Sequence, residues 1–190
     1  MRSKFFQHHE KSIRIDLIIV YFILLSLLIT RPLGFNLSTQ TVGRYGDNMG
    51  FIWMIGWFKQ ALFDLHQLPY KTHLLNFPYG FNLYTTEIAS LQILIALPFS
   101  LFKGPVFGYN ISILSTFVLA GLCMYYWVYS KTQSRKTALI IGTAYAICPF
   151  QLAHVLSGHL NISAIQWFPL YFMGFFNILE NKAFSKKNVL

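Results

Sequence analysis

Long apolar runs alternate with short polar and basic segments along the 190-residue chain. Four of these runs have about 17 residues or more, the length that a helix needs to cross the roughly 30 Å hydrocarbon core of a bilayer. They cover residues 13–30, 109–129, 137–154 and 162–179. The pattern predicts an all-α, polytopic membrane helix bundle with about four transmembrane helices in a single membrane domain.

A fifth apolar run, residues 88–102, is shorter and contains Pro98, which disrupts the hydrogen-bond ladder of a helix. Lys and Arg in short loops favour the cytoplasmic side. Three basic clusters fall on that side only if residues 88–102 lie in the membrane interface, so we expect a juxtamembrane or re-entrant helix there and both termini in the cytoplasm. The clusters are Arg2, Lys4, Lys11 and Arg14; Lys131, Arg135 and Lys136; and Lys182, Lys186 and Lys187.

The long segment from residue 31 to 106 then becomes a first outer loop with juxtamembrane helices of its own. Residues 47–65 have the spacing of a helix on the membrane surface, with Asp47 as its cap. Trp53 and Trp57, one turn apart, are typical of the headgroup layer. The apolar face of this helix is expected to carry Phe51, Ile55, Phe58 and Leu62.

Composition excludes the other classes of protein. Hydrophobic residues make up 55% of the chain and charged residues 11%, against about 25% charged in a soluble domain. This excludes a water-soluble globule and a disordered chain. The net charge of +9 lies in loop clusters and not on one basic face, so we expect membrane lipids and no nucleic acid as partners. Cys123 and Cys148 lie in apolar runs and are interpreted as small buried residues.

Two acidic residues of the outer segment are candidates for chemistry. Asp47 has glycines nearby, which let a backbone approach a ligand closely, and its carboxylate could bind a divalent cation or accept a proton. The alternative is a helix cap and nothing more. Glu87 opens the run at residues 88–102, where it is either a second acid at the same cleft or a partner of the helix dipole.

The turn at residues 157–161 is the second candidate region. His159 and Asn161 there could bind phosphate oxygens or complete a metal site, and the alternative is a polar turn with a helix cap. His154 is interpreted as a buried histidine that faces a neighbouring helix. Several such groups on one face of the membrane favour a polar site.

The arrangement resembles the GT-C superfamily of integral membrane glycosyltransferases, which includes oligosaccharyltransferases, protein mannosyltransferases and lipid A aminoarabinose transferases. The likeness covers residues 13–179 and lies in the order of loose motifs. These motifs are Gly46-Asp47-Asn48 before the Trp53/Trp57 helix, Phe77-Pro78-Tyr79-Gly80, Leu101-Phe102-Lys103-Gly104 before Tyr109-Asn110, and Gly158-His159 before Gln166-Trp167-Phe168-Pro169-Leu170.

The resemblance implies a polyprenyl-phosphate-linked sugar donor at the outer face of a bacterial inner (plasma) membrane, and an acceptor in the cell envelope. Asp47 would be the general base or the ligand of a divalent metal ion, Mg²⁺ or Mn²⁺, and Glu87 a second acid. Arg44, His159 and Asn161 would lie near the donor phosphate, because a phosphate leaving group needs cationic or hydrogen-bond stabilisation.

The chain departs from the family pattern in two ways. The outer turn offers His159 and Asn161 where several of these enzymes carry a further acid, and four crossings replace the usual ten or more. We therefore expect the N-terminal portion of a larger protein, with a further polypeptide supplying the missing helices. The alternative is a non-enzymatic membrane subunit or scaffold, or an inactive fragment, that binds a partner through its aromatic outer loop. A transporter is less favoured, because the crossings contain few ionisable residues.

Overall fold

Helices account for about 70% of the protein in the computed structural model. The structure describes residues 2–31 and 33–180, with side chains described from residue 15 to 31 and from 33 to 179. The basic cluster Lys182, Lys186 and Lys187 lies outside the described residues. The side chains of the N-terminal cluster, Arg2, Lys4, Lys11 and Arg14, also lie outside the described part.

Seven α-helices, two short 3₁₀ turns, one π turn and a two-stranded hairpin are present in the described ranges. The helices are α1 (Arg2–Ile29), α2 (Asp47–Lys59), α3 (Ser90–Lys103), α4 (Pro105–Thr132), α5 (Arg135–Ala146), α6 (Pro149–Leu156) and α7 (Trp167–Glu180). The 3₁₀ turns are Leu33–Phe35 and Leu83–Thr85, and the π turn Gln60–Asp64 follows α2. Strands β1 (Lys71–Thr72) and β2 (Phe81–Asn82) pair antiparallel, with Lys71 opposite Asn82.

Two stretches among the described residues are long and apolar enough to cross a membrane, Pro105–Thr132 and Arg135–Leu156. Three apolar helices are shorter, Ile15–Ile29, Ser90–Lys103 and Trp167–Leu179. The mostly helical class is confirmed, whereas the bundle with four crossings stays a prediction.

Individual residues set the ends of the helices, more than the hydropathy of each apolar run does. The apolar run at residues 137–154 is divided after Ala146, and Pro149 begins α6, the position where a missing N–H is tolerated. Pro98 lies inside α3 without ending it, so the helix expected at residues 88–102 is present. Gly104, with φ of +87°, separates α3 from α4.

Described residues fall into two compact units. The first contains residues 2–26, 116–148 and 165–180. Its core forms around Phe22, which is 1% exposed and packs against Gly121 and Gly142. A Cβ on Gly121 would lie 2.2 Å from the Phe22 ring, so the absence of a side chain allows α1 and α4 to touch. The Tyr21 hydroxyl and the Thr143 hydroxyl lie 2.9 Å apart and link α1 to α5.

The second unit contains residues 27–31, 33–115 and 149–164. Phe51, Ile55 and Phe58 of α2 are buried as expected, whereas Leu62 is 36% exposed because it lies in the π turn beyond the α-helix. Trp57 is buried, and its indole N–H donates to the Pro69 carbonyl at 2.6 Å. The expectation that Trp57 lies in the headgroup layer is therefore wrong, since its polar edge is satisfied inside the protein.

Candidate functional site

Asn48 fixes the start of α2 and therefore the position of Asp47. The Asn48 side-chain oxygen accepts hydrogen bonds from the Gly46 N–H at 2.9 Å and the Met49 N–H at 3.0 Å. Asn48 is fully buried. Gly46 is the N-cap and Asp47 is the first helical residue, with no side-chain capping bond from the cap residue. The interpretation of Asp47 as the cap is thus wrong, and its carboxylate is left 68% exposed for other contacts.

Two glycines allow the segment before Asp47 to touch the turn at residues 156–161. Gly43 has φ of +87°, and a Cβ there would lie 2.4 Å from the Leu156 carbonyl oxygen. Beside it the Arg44 N–H donates to that same carbonyl at 3.0 Å. Gly158 has φ of +80°, and a Cβ on it would lie 2.8 Å from the Asn48 nitrogen. These contacts need the absence of a side chain as well as the left-handed backbone that glycine adopts readily.

His159 connects this turn to the carboxylate of Asp47. The His159 Nε2 atom lies 3.4 Å from the Asp47 Oδ2 atom, with His159 31% exposed. The distance is longer than a well-formed hydrogen bond, and solvent screens the attraction at so exposed a carboxylate. The contact therefore places an acid beside an imidazole and adds little to the stability of the fold.

His154 supports His159 from the other side of its ring. The two Nδ1 atoms lie 2.8 Å apart, and the rings are 5.1 Å apart at 41°. A consistent proton arrangement has His154 donating from Nδ1 to His159 Nδ1, so that His159 keeps its Nε2 proton toward Asp47. His154 is half-buried, and the ring of Phe150 lies 4.4 Å from it. The expected partner on a neighbouring helix is thus replaced by a histidine five residues along the same chain.

Glu87 and Asn161 form a second pair at the same turn. The Asn161 side-chain amide donates to Glu87 Oε2 at 2.6 Å, although the two residues are 74 positions apart. Glu87 precedes α3, which begins at Ser90, so the expectation that it opens this helix is wrong. The turn therefore contacts one acid through His159 and the other through Asn161. Arg44 joins the group through its backbone N–H, and its side chain is exposed.

The sequence did not predict the roles of two members of this arrangement, Asn48 and His154. Asn48 lies inside α2, and its side-chain oxygen accepts from the Gly46 N–H before the helix, which differs from the contact that an N-cap residue makes. His154 lies five residues before His159, which is not a helical spacing. Only the turn between α6 and residue 159 brings the two rings together.

A metal centre finds no support in the described side chains. They contain no group of three or more His, Cys, Asp or Glu residues that could hold an ion. Comparison with known proteins adds no relative: no family model, no curated protein and no solved structure matches this chain.

Proposed function

We propose that the chain is the N-terminal module of a membrane glycosyltransferase. It moves a sugar from a polyprenyl-phosphate-linked donor to a glycan, lipid or protein acceptor of the cell envelope. The observation that carries the proposal is the contact between Asp47 and His159, which joins an exposed acid to an imidazole from a distant segment. Two glycine-dependent approaches hold that contact in place, so it does not depend on long flexible side chains alone.

The arrangement suits transfer with inversion at the anomeric carbon. An acceptor hydroxyl oxygen forms the new bond to that carbon, and its proton passes to the Asp47 carboxylate. The bond between the anomeric carbon and the phosphate oxygen breaks, and the phosphate leaves with the electron pair. The Arg44 guanidinium and the Asn161 amide hydrogen that Glu87 does not accept are the donors available to stabilise that phosphate, and His159 lies beside them with its Nε2 proton toward Asp47. Glu87 orients Asn161 through their hydrogen bond.

We place this site at the outer face of a multi-pass protein of the bacterial plasma membrane. Support comes from the two stretches, Pro105–Thr132 and Arg135–Leu156, with the length and hydropathy of membrane spans. It also comes from α7, where Phe168 is 59% exposed and Leu179 is 64% exposed. Apolar side chains exposed along a whole helix are stable against lipid and unfavourable against water.

A divalent metal ion stays a prediction. Mg²⁺ is usually held by one or two carboxylates together with substrate phosphates and waters, and Asp47 is an exposed carboxylate, although the described side chains contain no group of three or more such ligands. Asp47 would hold the ion, which would stabilise the charge on the leaving phosphate, and the reaction above uses protein groups alone.

The direct test is sugar transfer in membranes that carry Asp47→Asn. Loss of a general base lowers a rate by about 10²- to 10⁴-fold, so we expect transfer from labelled lipid-linked sugar to fall at least about 100-fold. Asp64→Asn is the matched control, because Asp64 is an exposed acid in the π turn after α2, outside the site. Unchanged transfer in Asp47→Asn would remove the role assigned to this carboxylate.

One observation favours a second candidate, a non-enzymatic subunit that binds a partner through its outer loop. Phe77 is 82% exposed and Tyr79 is 87% exposed, which is unusual for rings that have no partner to contact. This candidate predicts that the double variant Phe77→Ser with Tyr79→Ser no longer binds the partner, whereas Asp47→Asn still does. The glycosyltransferase proposal predicts instead that Asp47→Asn loses sugar transfer.

A further inference from the structure

A cavity of about 240 Å³ lies in the first unit, at the end of α4 and the start of α5. One wall is aliphatic and comes from α1. The other walls are three tyrosines, a glutamine and an arginine. The lining residues are Ile15, Ile18, Tyr125, Tyr126, Tyr129, Gln133 and Arg135. None of them belongs to the site around Asp47, so this cavity needs a separate explanation.

Arg135 is the residue that gives the cavity its chemistry. Its Nη1 atom is buried and has no hydrogen-bond partner among the described residues. Asp16, the acid nearest in sequence to the α1 wall, is exposed and does not line the cavity. A buried guanidinium N–H left without an acceptor is unfavourable, and the planar guanidinium fork matches phosphate oxygens. The Arg135 N–H without an acceptor therefore indicates that the cavity binds an anion.

The other residues around the cavity can contact a phosphate group that is attached to an apolar chain. Tyr125 and Tyr129 stack with their ring centres 5.9 Å apart, and tyrosine hydroxyls donate hydrogen bonds to oxyanions. Tyr126 is 41% exposed and leaves one side open. Lys131 and Lys136 flank the cavity in sequence and add positive potential.

We propose that this cavity binds a phosphate group, held by the Arg135 guanidinium and the tyrosine hydroxyls. The phosphate is that of an anionic lipid headgroup or is free in solution. Its position at the end of α4, a stretch with the properties of a membrane span, favours the lipid, because basic pockets at the ends of such helices bind anionic headgroups. The proposal does not depend on glycosyl transfer.

The experiment measures the thermal unfolding of the purified 190-residue chain in a neutral detergent. Short-chain phosphatidylglycerol is titrated in one arm and inorganic phosphate in the other, and the half-saturating concentration for stabilisation is compared between variants. Arg135→Gln removes the charged donors, so we expect at least about tenfold weaker binding. Arg31→Gln is the matched control, since Arg31 is an exposed arginine outside the cavity.

Stabilisation by phosphatidylglycerol alone, lost in Arg135→Gln, supports the lipid as the source of the phosphate. Stabilisation by inorganic phosphate with the same dependence on Arg135 supports a site that recognises phosphate itself. Equal half-saturating concentrations in the native chain and Arg135→Gln would overturn the proposal, as would stabilisation by neither ligand. If Arg135→Gln does not fold, Arg135→Lys keeps the charge without the fork. Binding then weakens severalfold, and unchanged binding overturns the proposal.

Discussion

Gly158 is the position at which the account of the candidate site is most vulnerable to a small change. Its backbone has φ of +80°, and a Cβ there would lie 2.8 Å from the Asn48 nitrogen and 2.9 Å from the Asn48 Cβ. Asn48 in turn sets the start of α2 through two hydrogen bonds. Gly158→Ala adds one methyl group where the turn at residues 156–161 touches the start of α2. The methyl group would collide with the backbone nitrogen of Asn48, which cannot move aside as a flexible side chain could.

Two effects add in this variant. An alanine in the left-handed region is disfavoured by about 1–2 kcal/mol, and the added methyl group forces a shift that resembles overpacking, which destabilises by about 1–3 kcal/mol. We expect the free energy of unfolding to fall by at least about 2 kcal/mol, which for a chain of this size lowers the melting temperature by roughly 4–8 °C. The contact between Asp47 and His159 should lengthen as well.

The assay is thermal unfolding of the purified chain in detergent, with Gly50→Ala as the matched control. Gly50 lies in α2 of the same unit, and no described atom lies within 4 Å of a Cβ built on it. Alanine in that helix should be neutral or should stabilise by about 0.5–1 kcal/mol. If Gly158→Ala melts at the native temperature, the close approach of the two segments is refuted.

Three other substitutions test the packing of the two units. Gly121→Ala places a methyl group 2.2 Å from a Phe22 ring carbon and should destabilise by about 1–3 kcal/mol in thermal unfolding, because a buried ring must move. Asn110→Ala removes two hydrogen bonds, of 2.8 and 2.6 Å, to the carbonyls of Leu37 and Gln40 and should lower the free energy of unfolding by about 2 kcal/mol in a denaturant titration. Trp57→Phe loses the bond to Pro69 and should destabilise by about 1 kcal/mol, measured as a lower melting temperature.

The control for Gly121→Ala is Gly174→Ala in α7, where no described atom lies within 4 Å of the added carbon. Equal melting temperatures for Gly121→Ala and Gly174→Ala would contradict the packing of the Phe22 ring on α4. Retained stability in Asn110→Ala or Trp57→Phe would show that water replaces the lost donor in the respective case.

The positions of the helices follow from hydropathy, whereas their ends do not. The apolar runs at residues 13–30, 88–102 and 109–129 fall within or largely overlap α1, α3 and α4. Helix α7 begins at Trp167 and not at residue 162, because residues 161–166 form turns. Hydropathy averages over a window and is insensitive to a single Pro or to a polar turn inside an apolar run.

The residue types of the site could be proposed from the sequence, but its pairings could not. Candidate acids are few in a chain with six Asp and Glu residues, so Asp47 and Glu87 were easy to single out. Their partners depend on the left-handed backbones of Gly43 and Gly158, which are properties of the fold and are not encoded in a local pattern. The histidine pair at 154 and 159 likewise depends on how tightly one turn closes.

Cysteine cross-linking between positions 47 and 159 tests the central claim most directly. Asp47→Cys is combined with His159→Cys in a chain whose native Cys123 and Cys148 are replaced by serine, and mild oxidant is added to intact membranes. A short bifunctional methanethiosulfonate is added as well, because the 3.4 Å contact joins the tips of two side chains longer than cysteine and a direct disulfide needs a closer approach of the Cβ atoms. The account predicts a cross-link within the chain by this reagent. Absence of the cross-link, together with labelling of one cysteine only from outside the cell and of the other only from inside, would contradict it.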